Sequence, residues 1–325
     1  VPDWRELRDR ALSTLDRPAA ADDRAAAARL LRDLAREEDF HPEIGAIWTR
    51  LLADAQEQVR RIGVEIAAQF LPPEDLERLL CPLAGDASAL VRVQIAGTLA
   101  DLEQPSCREV LRALVRDSAP AVRFEAARGL AAIGDPAGID VLIEALDTGE
   151  LRFRALGALA NLGDPRAIPA IQALFNRLWL PPFERTQAAG VLARFGDQAA
   201  ARHLIERTRA ERSADRALAI ELSGEVKAPG ALERLESILA DEEDEESCRG
   251  AAARGLGRLK DSRALPGLLR LLKDMKQSDD LRLDAAEGIC RLGVREARGE
   301  VESALRSLNS AEAQEEAREL LEEYA

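Results

Sequence analysis

Histidine is nearly missing from this chain: His41 and His203 are the only two in 325 residues. They lie far apart, His41 before Pro42 in a turn and His203 within a helical pattern. Imidazole-based zinc or iron sites are therefore not expected. Cysteine is almost as scarce. Cys81, Cys107, Cys248 and Cys290 form no Cys-x-x-Cys pair. Cys248 stands where neighbouring segments carry Val91 and Val122, and Cys290 where they carry Ala100 and Ala131, which marks both as small buried thiols. A reducing cytoplasm is the expected setting. There is no Gly-x-Ser-x-Gly, no phosphate-binding glycine loop and no Cys/His dyad, so no catalytic residue, cofactor or metal is expected and the chain reads as a non-enzyme. No apolar run is long enough to span a membrane. The N-terminus has no signal-peptide core; because it begins with Val1 rather than methionine, upstream trimming or processing is expected. Forty-five basic against fifty-nine acidic residues give a net charge of −14, which disfavours nonspecific binding to nucleic acid or anionic membranes. Plentiful alanine and arginine with few lysines point to a GC-rich bacterial genome.

What is present is a period. Arg24, Arg60, Arg92, Arg123, Arg152, Arg185, Arg216, Arg249 and Arg282 follow one another at gaps of 29 to 36 residues. Three residues after each comes a residue that is almost always small: Ala27, Gly63, Ile95, Ala126, Ala155, Ala188, Ala219, Ala252 and Ala285. Apolar residues recur seven and ten residues after each arginine, with Ser223 the one exception. Offsets of three, seven and ten share one helical face, so each arginine is expected in the first turn of an amphipathic helix. The small position is expected to be a close helix–helix contact. Gly129, Gly157, Gly190 and Gly255 fall inside these helices, where close packing would explain them.

A second helix lies between successive ladder helices. Asp135-Pro136 and Asp164-Pro165 place an N-capping side chain before a proline preorganised for the first turn. Gly134 and Gly163 sit where a left-handed C-cap is common. Apolar residues then recur at Ile139, Leu142 and Leu146, and at Ile168, Ile171 and Phe175. The unit is two antiparallel helices joined by short turns. A fixed period of this length signals a repeat architecture.

The run from Asp117 to Pro136, Asp-Ser-Ala-Pro-Ala-Val-Arg-Phe-Glu-Ala-Ala-Arg-Gly-Leu-Ala-Ala-Ile-Gly-Asp-Pro, resembles the HEAT-repeat family in its short, phycobilisome lyase-like form. Leu151 to Ala170 and Ala251 to Leu272 resemble it too, and the pattern covers essentially the whole chain. The resemblance implies an all-α, right-handed α-solenoid of about ten helix-turn-helix repeats. One array over 1–325 is expected, with an N-terminal capping repeat at 1–40, central repeats at 41–293 and a C-terminal capping repeat at 294–325. Trp4, Leu7, Ala11 and Leu15 form the apolar stripe of the first cap, and Ala313, Ala317, Leu320 and Tyr324 that of the last. The resemblance also implies that each ladder arginine pairs with an aspartate just upstream: Asp54, Asp86, Asp117, Asp147, Asp241 or Asp274. The repeated His-Glu pairs of HEAT-like metalloenzymes do not occur.

Such repeats imply a noncatalytic scaffold that binds a protein partner on the concave face of its second helices. Polar positions two, five and nine residues after the ladder arginines supply the candidates Glu125, Arg128, Arg154, Asn161, Gln187, Arg194, Arg254 and Arg258, with Arg291 beyond them. An acidic or phosphate-bearing segment of a protein partner would suit these arginines. The turn Asn176-Arg-Leu-Trp-Leu-Pro-Pro-Phe183 is about four residues longer than its counterpart after Leu146 and is apolar where turns are normally polar. Its Trp179 and Phe183 are candidate partner anchors, with Trp179 folding back as a local plug as the opposing reading. The run Asp241–Glu246 is either a solvated turn or a docking point for a basic partner or divalent ion. Two other functions fit the resemblance: a chaperone-like subunit similar to phycobilin lyases, and a HEAT-like nucleic-acid glycosylase, which the net acidity disfavours.

Overall fold

In a computed structural model, residues 4–17, 19–34 and 44–324 are described. Their secondary structure is helical throughout, with no strand among the described residues. They cluster into two compact units, 1–147 with 157–164, and 148–156 with 165–325. The first contains α1 (Trp4–Asp16), α2 (Ala21–Leu34), α3 (Ile44–Leu52), α4 (Glu57–Phe70), α5 (Pro73–Leu80), α6 (Ala89–Asp101), α7 (Arg108–Leu114), α8 (Pro120–Ala132) and α9 (Ile139–Ala145). Helix α10 (Gly149–Leu162) straddles the division. The second contains α11 (Ile168–Phe175), α12 (Pro182–Arg194), α13 (Gln198–Arg207), α14 (Ser213–Glu225), α15 (Ala231–Ala240), α16 (Glu246–Leu259), α17 (Leu265–Lys273), α18 (Asp279–Leu292), α19 (Arg298–Leu305) and α20 (Ala311–Glu323).

The nine ladder arginines each occupy the fourth position of an even-numbered helix, from α2 to α18. Those helices stack in a row, α2–α4–α6–α8 in the first unit and α12–α14–α16–α18 in the second, and the odd-numbered helices pack beside them. The small position is the reason the row closes: Ala126, Ala155, Ala188, Ala219, Ala252 and Ala285 have no exposed surface. Contact is tightest along α14, α16 and α18. A Cβ on Gly224 would fall onto the carbonyl of Gly255, and one on Gly257 onto that of Gly288. Gly190 likewise leaves room for Leu222. Gly157 departs from the packing expectation, since a Cβ there would meet no atom within 4 Å.

An N-cap forms at Asp135-Pro136 and left-handed glycines follow the preceding helices. The Asp135 carboxylate accepts the Ala137 N–H at 3.0 Å, and Gly134 and Gly163 take φ of +72° and +64°. Ser223, the polar exception in the pattern, is buried with its hydroxyl donating to the Ile220 carbonyl at 2.8 Å. Ala11 is buried against α2 with Leu12 and Leu15 beside it, and Ala313 and Ala317 are buried at the other end. His41 and the Trp4 side chain lie outside what the structure describes.

The arginine–aspartate pairing differs from expectation in direction. Arg60 grips Asp86 through two bonds of 2.7 and 2.8 Å, and Arg92 grips Asp117 at 2.7 and 2.9 Å. Arg24 likewise reaches Asp54. Each aspartate thus serves the arginine of the preceding repeat. To the upstream aspartate the arginine offers only a bond to its backbone: Arg60 donates to the Asp54 carbonyl and Arg92 to that of Asp86. The cause is the turn itself. The Asp86 and Asp117 carboxylates cap the Ser88 and Ala119 N–H groups two residues on, both at 2.8 Å, which leaves them facing the neighbouring helix of the row. The Arg60 and Arg92 guanidiniums hold these two carboxyls below the usual carboxylate range.

Candidate protein-docking site

Later in the chain the ladder changes partners. Arg216 still meets an aspartate, Asp244, at 2.6 Å. Burial opposes the Asp244 charge, but the bond from Arg216 and the Glu245 N–H outweigh it and hold the carboxyl low. Part of the Asp241–Glu246 run is thereby committed to the ladder. Arg249 reaches Gln277, whose amide in turn donates to Asp274. Arg282, 1% exposed, serves the Leu272 and Ala304 carbonyls and the Ser307 hydroxyl.

Arg185 binds no carboxylate among the contacts described. Its guanidinium donates to the Phe175 carbonyl at 2.6 Å, to that of Arg177 at 2.5 Å and to that of Leu178 at 3.5 Å. It also lies 6.0 Å above the Phe175 ring, on which His203 packs edge-on at 5.3 Å. Burial lowers the His203 pKa, so the imidazole is neutral at neutral pH. The long turn after α11 is therefore clamped through its own backbone. Pro181 and Pro182 close it by starting α12.

Within this clamped turn the side chains divide. Leu180 points inward and is 6% exposed, whereas Leu178 and Trp179 are 87% and 94% exposed. The plug is Leu180; Trp179 does not fold back. Phe183 stacks on Phe153 with centroids 6.0 Å apart and planes at 21°, and Phe153 is itself half exposed. Gln187 fixes this pair by donating to the Phe153 carbonyl at 3.1 Å, and Arg152 pairs with Glu184 beside it. A surface cavity of about 450 Å³ is lined by Arg152, Arg177, Leu178, Trp179 and Leu180. The turn thus offers rigid apolar surface beside arginines.

The expected arginine groove takes a different form. In the first unit Arg128 is bound by Asp101 at 2.7 Å, by Glu125 at 3.0 Å and by the Gly97 carbonyl. In the second unit neighbouring even helices supply most of these counter-charges. Arg194 of α12 meets Glu225 of α14 at 2.5 Å, and Arg258 of α16 meets Glu221 of α14 at 2.6 Å. Arg254 pairs with Asp284 of α18, and Arg291 with Glu287 at 2.7 Å. Of the sequence candidates, Glu125, Arg128, Arg194, Arg254 and Arg258 are consumed by this lattice, while Arg154 and Asn161 are exposed. A face of interleaved charges is not a basic groove, and the case for an acidic segment loses its footing. The reason is periodic: offsets five and nine carry Glu on α14 and Arg on α16, so these two helices supply each other's counter-charges.

One cluster escaped the sequence reading. Glu77, Cys81 and Cys107 bring a carboxylate oxygen and two sulfurs within 4.8 Å of one another. No Cys-x-x-Cys spacing marks it, because the thiols belong to consecutive repeats. The usable signal was the Glu77/Cys81 spacing of four on one helical face, with Cys107 about one repeat later.

Comparison with known proteins fits this anatomy. A model of HEAT repeats matches residues 76–151 and 201–289, more than half of the chain. The chain belongs to the HEAT-repeat family. A PBS lyase HEAT-like repeat model matches residues 151–177, the repeat that leads into the clamped turn. No curated protein sequence matches the chain. Among solved HEAT-like structures, human deoxyhypusine hydroxylase in complex with glycerol shares 20% identity and a TM-score of 0.35, covering 78% of this chain and 97% of that one. The CpcE–CpcF complex of phycocyanin lyase from Nostoc sp. PCC7120 shares 18% identity at TM-score 0.48, over 78% and 95%. Kap121p bound to Nup53p shares 13% identity at TM-score 0.43, over 96% of this chain and 44% of that one. No described helix of this HEAT-repeat chain is long and apolar enough to cross a membrane.

Proposed function

We propose that this HEAT-repeat chain is a noncatalytic scaffold that binds a protein partner through the 176–183 turn and the Phe153/Phe183 pair. The observation that carries this reading is Trp179, 94% exposed on a turn whose backbone is held by Arg185. An indole in water forgoes most of the burial a folded chain offers it, and rigid aromatic side chains are what protein interfaces use as anchors. The partner best suited presents an apolar pocket for the indole. A uniformly acidic segment is not required, because Arg128, Arg194, Arg254 and Arg258 already have counter-charges. The same interleaving argues against a nucleic-acid backbone as ligand.

Capture from native lysate tests the reading. Wild type should retain a specific protein that Trp179→Ala loses, with both variants equally folded by circular dichroism. Equal retention by the two would sink it.

A second reading, a lyase-like subunit for a pigment, draws support from the PBS lyase HEAT-like match at 151–177 and from a cavity of about 660 Å³ lined by residues including Cys290, Arg298 and Tyr324. Visible absorbance co-purifying with the protein, or appearing on mixing with a linear tetrapyrrole, is its test.

A further inference from the structure

We propose that Glu77, Cys81 and Cys107 form a binding site for a thiophilic divalent cation of the zinc class, seated between two consecutive repeats. This goes beyond the docking reading and does not depend on it. Glu77 and Cys81 are four residues apart at the end of α5 and the turn after it, so one helical face presents both. Cys107 closes the short turn before α7 and has no exposed surface. The three donor atoms lie within 4.8 Å of one another. Zinc holds sulfur at about 2.3 Å and carboxylate oxygen at about 2.0–2.2 Å, so one ion can be reached by all three with small side-chain rotations.

The position of Cys107 is filled in other repeats by small inert residues, Gly138, Ala167 and Ala264, all buried. Here alone among those turns it carries a ligand atom. Counting back from the ladder aspartates Asp86 and Asp117, Glu77 and Cys81 correspond to Arg108 and Arg112 of the next repeat. Those two arginines reach forward to Asp135, at 3.3 and 2.8 Å. That seam matches cations to an anion. The Glu77 seam has a carboxylate and two thiols facing one another, a set whose natural complement is a soft cation. Ser106 donates to Glu77 Oε2 at 2.6 Å, fixing the carboxylate and leaving its other oxygen for the ion. Three protein ligands leave a fourth position for water or an incoming ligand.

Each thiol gives up its proton to solvent as its metal–sulfur bond forms.

The full-length protein, reduced with a phosphine, is titrated with cobalt(II) and then zinc(II). One equivalent of cobalt should produce thiolate-to-cobalt charge-transfer absorption that zinc removes stoichiometrically. Cys81→Ser should abolish the band while circular dichroism stays unchanged, and Cys107→Ser should do the same. Cys248→Ser should keep it. Glu77→Gln should keep the band with roughly tenfold weaker binding. A missing band in the wild type or a band that survives Cys81→Ser would overturn the site; unchanged affinity in Glu77→Gln would overturn the glutamate ligand.

Discussion

Two turns of this chain use the same ladder position for different ends. Arg92 reaches forward to Asp117 of the following repeat and ties two repeats together. Arg185 reaches back to the carbonyls of its own turn and ties that turn to the helix it precedes. The first arrangement is a joint between repeats, with side chains 14% and 11% exposed. The second is a mount, and what it carries is Trp179. A repeat protein draws its stability from nearest-neighbour interfaces, so a position that strengthens joints can be diverted at one repeat while the others hold the array.

Among the ladder and row positions, the largest effect expected is at the joint. Arg92→Ala strands a largely buried carboxylate and should cost about 2–3 kcal/mol in denaturant unfolding. It should also flatten the acid limb of stability. Asp86 and Asp117 are held low by Arg60 and Arg92. Their stabilisation is complete above the unfolded aspartate value of about 3.9 and is lost as pH falls through the lower folded value. Removing Arg92 returns Asp117 towards its ordinary value and takes its share of that slope away; an unchanged acid limb would contradict the pairing.

Next in size is the register of the row. Ala155 has no exposed surface at the small position of α10, and Ala155→Leu should overpack it by about 1–3 kcal/mol, read as a lower melting midpoint. Smaller still is the mount. Arg185→Ala frees carbonyls that water can reach, so global stability should fall by only about 1 kcal/mol. Limited trypsin digestion should nevertheless cut after Arg177 several times faster than in wild type. Unchanged cleavage would mean that the two prolines alone hold the turn.

Much of the joint was legible in the sequence. Nine arginines at a steady period, small residues three later and glycines at C-caps depend on local geometry, which chain order records. Direction was not legible. Asp86 lies six residues before Arg92 and twenty-six after Arg60, and sequence proximity favoured the wrong arginine, because only the capped turn reveals which way the carboxylate faces. The helix-row arginines failed for a related reason. Arg254 and Arg258 read as free when α16 is viewed alone, and their partners Glu221 and Asp284 sit on its two neighbours. The turn at 176–183 was visible as an apolar insertion, yet its division of labour was not. Leu180 and Trp179 are adjacent and both apolar, and which of them is buried depends on the backbone path that Arg185 fixes.

That division separates an anchor from a plug. Unfolding of Trp179→Ala and Leu180→Ala in parallel tests it. Leu180→Ala should lose about 2–4 kcal/mol, as for a large-to-small change in a packed site, and Trp179→Ala should stay within about 0.5 kcal/mol of wild type, as for an exposed side chain. A cooperative loss of several kcal/mol in Trp179→Ala, with Leu180→Ala near neutral, would make the indole the plug and contradict its role as an anchor.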